Sequence, residues 1–227
     1  MNNEENMLID IVKIINYIGD LHKGFSEEFF SNHDSFNLKR TTVAKVIKDE
    51  STYDVDFINL VDSYIEEITM FQLTHDFEIN NDKIDPRFRG KTRESALNKL
   101  YYYSVRPVGA DFPLQKCLND LLGFRIIIDN IFDYNDLLTD IKKSPYLKTK
   151  ISRSYIRRDI DEDRDIKYIG IHIYFKSENN KFFPWELQIW QKDDAILNEK
   201  SHRKHKQKRR YINWAEEYKD NRHEEEW

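Results

Sequence analysis

The chain has 227 residues and a formal net charge of −5, and its 39% hydrophobic and 14% aromatic residues can supply one sizeable core. No apolar run approaches the ~18 residues of a membrane span, and the acidic start of the chain lacks the basic region of a signal peptide, so we expect a cytoplasmic protein without membrane contact. The single cysteine, Cys117, excludes an internal disulfide bond and is expected in the core.

The first third of the chain is predicted to be helical. Apolar residues recur at helical spacing over residues 5–22 and again over residues 56–75, and residues 43–47 fit a further helical segment. We therefore predict an N-terminal helical region over residues 1–80, followed by a second region over residues 81–227.

The second region alternates between helical and extended patterns. This order predicts an α/β (α+β) fold, with a mixed β-sheet flanked by helices and a long charged helix at the C-terminal end. The predicted elements are a helix over 92–103, a strand over 124–128, a helix over 134–143, strands over 149–157, 168–174 and 184–190, and a helix over 193–219.

The strands over 168–174 and 184–190 have two different faces, because successive side chains of a strand point in opposite directions. One face is apolar and is expected to pack on the core. The other face carries Tyr168, Gly170, His172, Tyr174, Glu186, Gln188 and Trp190. Two interpretations remain open for this second face: a ligand-binding surface, or the solvated side of an antiparallel hairpin.

A dense basic stretch contrasts with the acidic remainder of the chain. Residues 200–210 carry seven lysines and arginines and no acid, which leaves −12 for all other residues. This asymmetry favours a localised contact with an anion. The alternative is that the stretch pairs with the chain's own acidic surface or with a second subunit.

Three short motifs carry side chains suited to phosphate and metal chemistry. Arg89 and Lys91 precede a predicted helix on which Ser95 and Lys99 share one face, and such a helix start can hold a polyphosphate. The alternative is a solvated charged helix.

The other two motifs place carboxylates beside apolar strands. Asp120 enters the 124–128 strand through Asp-Leu-Leu-Gly-Phe-Arg, which ends at Arg125, and Glu186 lies within the 184–190 strand. A buried carboxylate needs a partner, and two of them beside a phosphate site suit a bridging Mg²⁺. Each acid could instead be capped or held in a salt bridge.

The order and spacing of these motifs resemble the synthetase domain of RelA/SpoT proteins, the alarmone pyrophosphokinases. That family has Arg-x-Lys-x-x-x-Ser-x-x-x-Lys, Asp-x-x-Gly-x-Arg, Gly-Tyr-x-x-x-His, Glu-Ile-Gln-Ile-Arg, and a helix with Glu, His and a downstream Lys. The matching residues are Arg89, Lys91, Ser95, Lys99, Asp120, Gly123, Arg125, Tyr168, His172, Glu186, Gln188, Ile189, Glu199, His202 and Lys206.

The resemblance implies a nucleotidyltransferase-like sheet and a reaction in which a ribose 3′-hydroxyl attacks the β-phosphorus of ATP and AMP leaves. By the family's roles, Asp120 and Glu186 would be the catalytic pair that holds Mg²⁺, with Glu186 as the candidate general base. The residues implied to bind ATP are Arg89, Lys91, Ser95, Lys99 and Arg125. Those implied on the acceptor side are Tyr168, as a stacking platform, with His172, Gln188, His202 and Lys206.

Two departures from the family pattern fall on the acceptor side. The usual Gly-Tyr-Arg/Gln-Ser is Lys-Tyr-Ile-Gly-Ile at residues 167–171, and Trp190 replaces an arginine. With the donor motifs retained, this resembles the toxic small alarmone synthetases of toxin–antitoxin and phage-defence systems. Some of these transfer pyrophosphate to the tRNA 3′-CCA end and others make adenosine alarmones. We therefore expect a tRNA acceptor, contacted by the basic helix, and a separate protein antitoxin.

Two other hypotheses stay open. A (p)ppGpp synthetase that uses GDP or GTP shares the same catalytic residues. A catalytically silent RNA- or protein-binding module would require a broken donor or metal motif, and neither motif is broken in this chain. The lone His75–Asp76 pair and about 80 helical residues are not expected to form the hydrolase domain of the bifunctional family members. The sequence does not define an oligomeric state, although an oligomer is compatible with it.

Overall fold

The computed structural model describes residues 3–47, 53–77, 81–105, 110–161 and 166–208, with backbone only at 3, 161, 166 and 202–208. The helices are α1 (Asn3–Asn32), α2 (Val43–Val46), α3 (Val55–Thr74), α4 (Arg93–Ser104), α5 (Leu114–Cys117), α6 (Tyr134–Lys143) and α7 (Lys192–Lys208). The strands are β1 (Ile84–Gly90), β2 (Leu122–Ile128), β3 (Ile151–Asp161), β4 (Ile166–Phe175) and β5 (Trp185–Gln191).

The five strands form one sheet in the order β1-β2-β5-β4-β3. Strands β2 and β5 pair in parallel, and the other three pairs are antiparallel. The predicted mixed sheet with flanking helices is therefore confirmed, as is the antiparallel pairing of the 168–174 and 184–190 strands. The parallel pair lies near the centre of the sheet, and both strands are almost completely buried.

One face of the sheet packs against the N-terminal helices, as the alternation predicted. Ile171, Ile173, Leu187 and Ile189 are almost completely buried on this face and belong to the same core as residues of α1 and α3. The division into regions 1–80 and 81–227 remains a prediction.

Cys117 is buried in this core, and burial raises the pKa of its thiol to about 12, so the thiol stays protonated at neutral pH.

Strand β1 and the end of helix α1 differ from the sequence prediction for physical reasons. Strand β1 was not predicted, because Pro86 interrupts its pattern; β1 lies at the sheet edge, where proline is tolerated. Helix α1 continues ten residues beyond its predicted end and past Gly24, because Phe25 and Phe29 of the continuing helix are buried in the core. Helix α7 is described to Lys208, and residues 209–219 of the predicted helix lie outside the described residues.

Helix α7 is fixed to strand β4 by side chains that replace a missing strand neighbour. β4 pairs with β5 only from Ile171 onward, which leaves the backbone of its first residues without a partner on that side. Asn198 accepts from the Ile169 N–H at 2.9 Å and donates to the Ile169 carbonyl at 2.7 Å. Ser201 makes the same pair of contacts with Lys167. These contacts position α7 next to the polar face of the sheet.

Within the part of the chain that the structure describes, none of the helices has the length and apolar character needed to cross a membrane.

We predict that Asn198→Ala lowers the free energy of unfolding by about 1–3 kcal/mol, because it leaves the backbone groups of Ile169 unpaired in a partly buried position. Urea denaturation of both proteins measures the difference. Ile196→Ala on the same helix is the control, since Ile196 is exposed and its truncation should change stability by less than about 0.5 kcal/mol. Equal effects of the two substitutions would contradict the assigned role of Asn198.

Candidate active site

The face of the sheet opposite the core carries two rows of neighbouring residues that cross all five strands and are polar except for Gly123. The Glu186 row consists of Arg89, Gly123, Glu186, Tyr174 and Arg153. The His172 row consists of Arg87, Arg125, Gln188, His172 and Tyr155. Both rows follow from strand register, which brings residues far apart in the chain to neighbouring positions.

Gly123 has no side chain, so two charged groups of the Glu186 row can contact each other across β2. Arg89 on β1 and Glu186 on β5 are separated by β2, at the position where β2 has no side chain. The Arg89 guanidinium reaches over this gap and donates to the Glu186 carboxylate at 2.6 Å. A Cβ atom on Gly123 would lie 3.0 Å from the carbonyl oxygen of Arg89, so glycine also permits the close approach of the strands.

The Glu186 carboxylate is buried but fully supplied with hydrogen-bond donors. His172 Nδ1 lies 2.8 Å from Oε1, and Gln188 donates to Oε2 at 3.2 Å, beside the Arg89 contact. Burial alone would raise the pKa of Glu186. The hydrogen bond from His172 and the charge of Arg89 outweigh that effect and lower the pKa to about 2, so the group is ionised at neutral pH.

A chain of hydrogen bonds leads from Trp190 to Glu186. The Trp190 indole N–H, which can only donate, contacts the Tyr168 oxygen at 3.1 Å. The Tyr168 hydroxyl then donates to His172 Nε2 at 2.8 Å. The proton of a neutral His172 ring therefore resides on Nδ1, from which it is donated to Glu186. This assignment of protons gives every donor from Trp190 to Glu186 an acceptor.

Tyr168 lies deeper than its predicted stacking role requires. Its side chain is 7% exposed, and the Arg157 guanidinium lies over its ring at 5.4 Å from the centroid. An acceptor base could stack on this ring only after Arg157 moves away. The stacking role of Tyr168 remains a prediction, and the structure adds a different contact for the residue, the hydroxyl bond to His172.

Asp120 forms a second charged cluster at the start of α4. Lys91 and Lys99 donate to its two oxygens at 2.7 and 3.0 Å, and Lys99 also donates to Asn119. Burial opposes ionisation of Asp120, but the charges of Lys99 and Lys91 hold its pKa well below the usual range. Burial lowers the pKa of Lys91, whereas the attraction of Asp120 outweighs burial at Lys99 and raises its pKa.

Helix α4 places the predicted phosphate-binding residues around this cluster. Thr92 caps the helix by accepting from the backbone N–H of Ser95, and its hydroxyl lies 3.2 Å from the Ser95 hydroxyl. Lys91 stands just before the cap, because β1 ends one residue earlier. The helix start therefore gathers a hydroxyl, an ammonium group and backbone donors at one place, as an anion site requires.

Arg125 is the cation of the site that has no carboxylate partner among the described residues. Its guanidinium lies 3.3 Å from the centroid of the Trp190 ring and donates to Gln188 Oε1 at 3.0 Å. Burial and the neighbouring charge of Arg89 lower its pKa to about 10, so it remains charged at neutral pH. A stacked, charged and unneutralised guanidinium is suited to binding a phosphate oxygen.

Positive charge exceeds negative charge at this site, which gives it the capacity for a polyanion. Four cations, Arg89, Lys91, Lys99 and Arg125, surround two ionised carboxylates. Both carboxylates offer the oxygen ligands that Mg²⁺ prefers, so the donor type fits this ion. Within the described residues, no group of three or more acidic, histidine or cysteine side chains is arranged as a metal site. Phosphate oxygens and water would therefore have to complete a Mg²⁺ shell.

The structure brings most predicted site residues into the two clusters. For His202 and Lys206 the structure describes the backbone, which belongs to α7, and their side chains lie outside the described part of the chain. Glu199 on α7 accepts from Arg87 at 3.0 Å. Five residues of these rows and their neighbours were not predicted as binding residues: Arg87, Arg153, Tyr155, Arg157 and Tyr174. The alternation of β3 could have indicated three of them, Arg153, Tyr155 and Arg157.

The sequence matches no known family model and no curated protein. Its structure is similar to that of the small alarmone synthetase 1 from Bacillus subtilis bound to its product pppGpp, with 15% identity over 70% of this chain and 80% of that chain and a TM-score of 0.39. A GTP pyrophosphokinase family protein from Streptococcus pneumoniae has 13% identity, coverages of 68% and 77%, and a TM-score of 0.36.

The small alarmone synthetase 2 from Bacillus subtilis has 16% identity, covers 72% of this chain and 87% of its own, and has a TM-score of 0.32. With TM-scores below 0.5, these similarities determine neither the activity nor the substrate of this chain.

We predict that Glu186→Gln reduces stability at neutral pH and that the deficit shrinks in acid. The folded-state pKa of about 2 lies below the ordinary value of 4.5, so ionised Glu186 stabilises the fold above about pH 4.5 and this contribution is lost as the pH falls towards 2. Urea unfolding of both proteins between pH 7 and 2.5 measures the difference between their free energies of unfolding. Glu178→Gln, at an exposed residue, is the control and should show no such trend. A difference in the free energy of unfolding that does not change with pH would contradict the role of the ionised group.

We predict that the His172 ring carries its proton on Nδ1 and that Tyr168→Phe weakens this preference, because the variant removes the donor to Nε2. The ¹⁵N chemical shifts of the ring nitrogens report the tautomer directly. Tyr155→Phe is the control, since Tyr155 stacks on His172 without bonding to its nitrogens. A proton on Nε2 in the unmodified protein would overturn the direction of the hydrogen-bond chain.

Proposed function

We propose that this chain is an ATP-dependent pyrophosphokinase, which transfers the β,γ-pyrophosphate of ATP to a ribose 3′-hydroxyl. The observation that carries the proposal is the charge arrangement of the site. Two ionised carboxylates, the buried Glu186 and the partly buried Asp120, are held by cations from separate segments, and positive charge remains in excess. Phosphoryl-type transfer needs mainly positioning and neutralisation of phosphate charge, which such a site supplies.

The donor half of the reaction is assigned to the start of α4. Lys91, Lys99 and Ser95, with Arg89 and Arg125 across the sheet, are the groups that would contact ATP. Asp120 and Glu186 would hold Mg²⁺, which when bound neutralises the phosphate oxygens. The lysines donate to both oxygens of Asp120, so ATP binding requires them to exchange the carboxylate for phosphate.

The acceptor half depends on Glu186 as the proton acceptor. The hydroxyl oxygen forms a bond to the β-phosphorus, the bond from that phosphorus to the oxygen bridging to the α-phosphorus breaks, AMP leaves, and the hydroxyl proton passes to Glu186. A carboxylate with a pKa near 2 is a weak base. Transfer of Arg89 from Glu186 to a donor phosphate would remove one cause of that low pKa and strengthen the base.

For the acceptor we propose the tRNA 3′-CCA end, with inhibition of translation as the result. Trp190 takes the place of a cation in the family pattern, and the structure buries it beneath Arg125, where an indole cannot contact a nucleotide phosphate. The basic stretch at 200–210 offers charge for a longer nucleic acid. A toxic enzyme of this kind would need restraint, so a protein antitoxin is the proposed partner. GDP, GTP and adenine nucleotides are the competing acceptors.

We predict that the protein moves the label of γ-³²P-ATP onto deacylated tRNA and that Glu186→Gln, Asp120→Asn and Lys91→Met each reduce this transfer on the order of 100-fold or more. Removal of Mg²⁺ with EDTA should have the same effect. Glu178→Gln and Lys143→Met are the matched controls at exposed positions and should retain activity.

The acceptor assay contains tRNA, GDP, GTP and ATP as separate samples. Label on GDP or GTP but not on tRNA would keep the pyrophosphokinase and reject the tRNA acceptor. No transfer to any acceptor would reject the proposed function.

A further inference from the structure

The polar face of the sheet continues beyond the site described above onto the edge strand β3. Tyr155 is the register partner of His172, and Arg153 is the partner of Tyr174. Arg157 pairs with Gly170 on the same face. An arginine, a tyrosine and a second arginine therefore alternate along this edge, and the reaction as proposed uses none of them.

The Tyr155 ring extends the hydrogen-bonded site by stacking. Its ring is parallel to that of His172, with centroids 5.3 Å apart and an interplanar angle of 3°. It also lies 6.2 Å from the Tyr174 ring at 22°. Because β3 is the last strand of the sheet, no further strand covers the outer side of Tyr155. The ring is partly exposed, whereas Tyr168 is buried.

The two arginines give this edge positive charge on the same face as the ring. Arg153 is exposed, and its guanidinium lies over the Tyr155 ring at 4.9 Å from the centroid, so a base that stacks on Tyr155 would displace it towards the phosphate. Arg153 forms no ion pair within the described ranges of the chain. Arg157 donates to Asp159 at 2.6 Å and covers the Tyr168 ring. Arg153 is thus the cation more readily available to an anion, and Arg157 is partly neutralised.

The distance from Glu186 suits an acceptor molecule. Across the sheet, Tyr174 lies between Glu186 and Arg153, and His172 lies between Gln188 and Tyr155. The outer residues of each set are therefore two strand spacings apart, or about 10 Å. A hydroxyl placed at Glu186 therefore brings the base and phosphate of the same or the adjoining nucleotide towards β3.

We propose that Arg153, Tyr155 and Arg157 form a nucleotide subsite of the acceptor, in which a base stacks on Tyr155 and a phosphate contacts the arginines. This inference rests on the proposed function and names a part of its acceptor site. Stacking on an aromatic ring combined with a nearby arginine is how single-stranded nucleic acids and free nucleotides are both held.

Binding in the absence of ATP tests the subsite independently of catalysis. The probe is a 5′-fluorescein-labelled single-stranded RNA with a free 3′-hydroxyl, titrated by fluorescence anisotropy, and GDP titrated by calorimetry. Tyr155→Leu should weaken binding roughly 10- to 100-fold, whereas Tyr155→Phe, which keeps the ring and the fold, should bind like the unmodified protein.

The charge contribution is separated from stacking by its salt dependence. The double variant Arg153→Gln, Arg157→Gln should reduce the slope of log affinity against log salt by about 1.4 for RNA, and Tyr155→Leu should leave the slope unchanged. Arg158→Gln is the control, because Arg158 lies on the same strand with its side chain on the opposite face.

The outcomes distinguish the inference from the proposed function. A Tyr155-dependent affinity for RNA alone or for GDP alone supports the subsite and identifies the source of the nucleotide. Pyrophosphate transfer with normal nucleotide binding in Tyr155→Leu overturns the subsite and leaves the proposed function intact. Tyr155-dependent binding without any transfer would overturn the proposed function alone.

Discussion

The buried carboxylate of Glu186 is the constraint on which the polar side of this protein depends. An ionised acid in the middle of a sheet is costly unless donors surround it. Here the donors come from three strands: Arg89 on β1, His172 on β4, and Gln188 on β5 itself. The glycine at position 123 and the hydrogen-bond chain behind His172 both serve to bring these donors to the carboxylate.

The cations that stabilise the free protein are the ones that the proposed reaction would use. Lys91 and Lys99 hold Asp120, and Arg89 holds Glu186, so each carboxylate is satisfied before any substrate binds. A polyphosphate that draws these cations away would leave both acids available for Mg²⁺. Under the proposed function, stability and donor binding would therefore be coupled through the same ion pairs.

The part of the sheet proposed for the acceptor is organised by aromatic packing rather than by ion pairs. Gly170 makes room for Trp190, since a Cβ atom there would lie 2.7 Å from the indole. Trp190 in turn supports Arg125 on its ring and donates to Tyr168. The departures from the family pattern at these positions thus form one packed unit, and they leave the partly exposed Tyr155 as the ring on which we propose that an acceptor base stacks.

The sequence by itself determined the mixed sheet, its two faces and most residues of the two carboxylate clusters. Alternation and helical periodicity depend on local spacing, so Ile171 and His172 could be assigned to opposite faces directly. Strand β1 was missed because its tolerance of Pro86 comes from being at the sheet edge. Only the tertiary structure decided which cation holds which acid, that Tyr168 is buried, and that Tyr155 adjoins His172, because register joins residues distant in sequence and no local pattern specifies it.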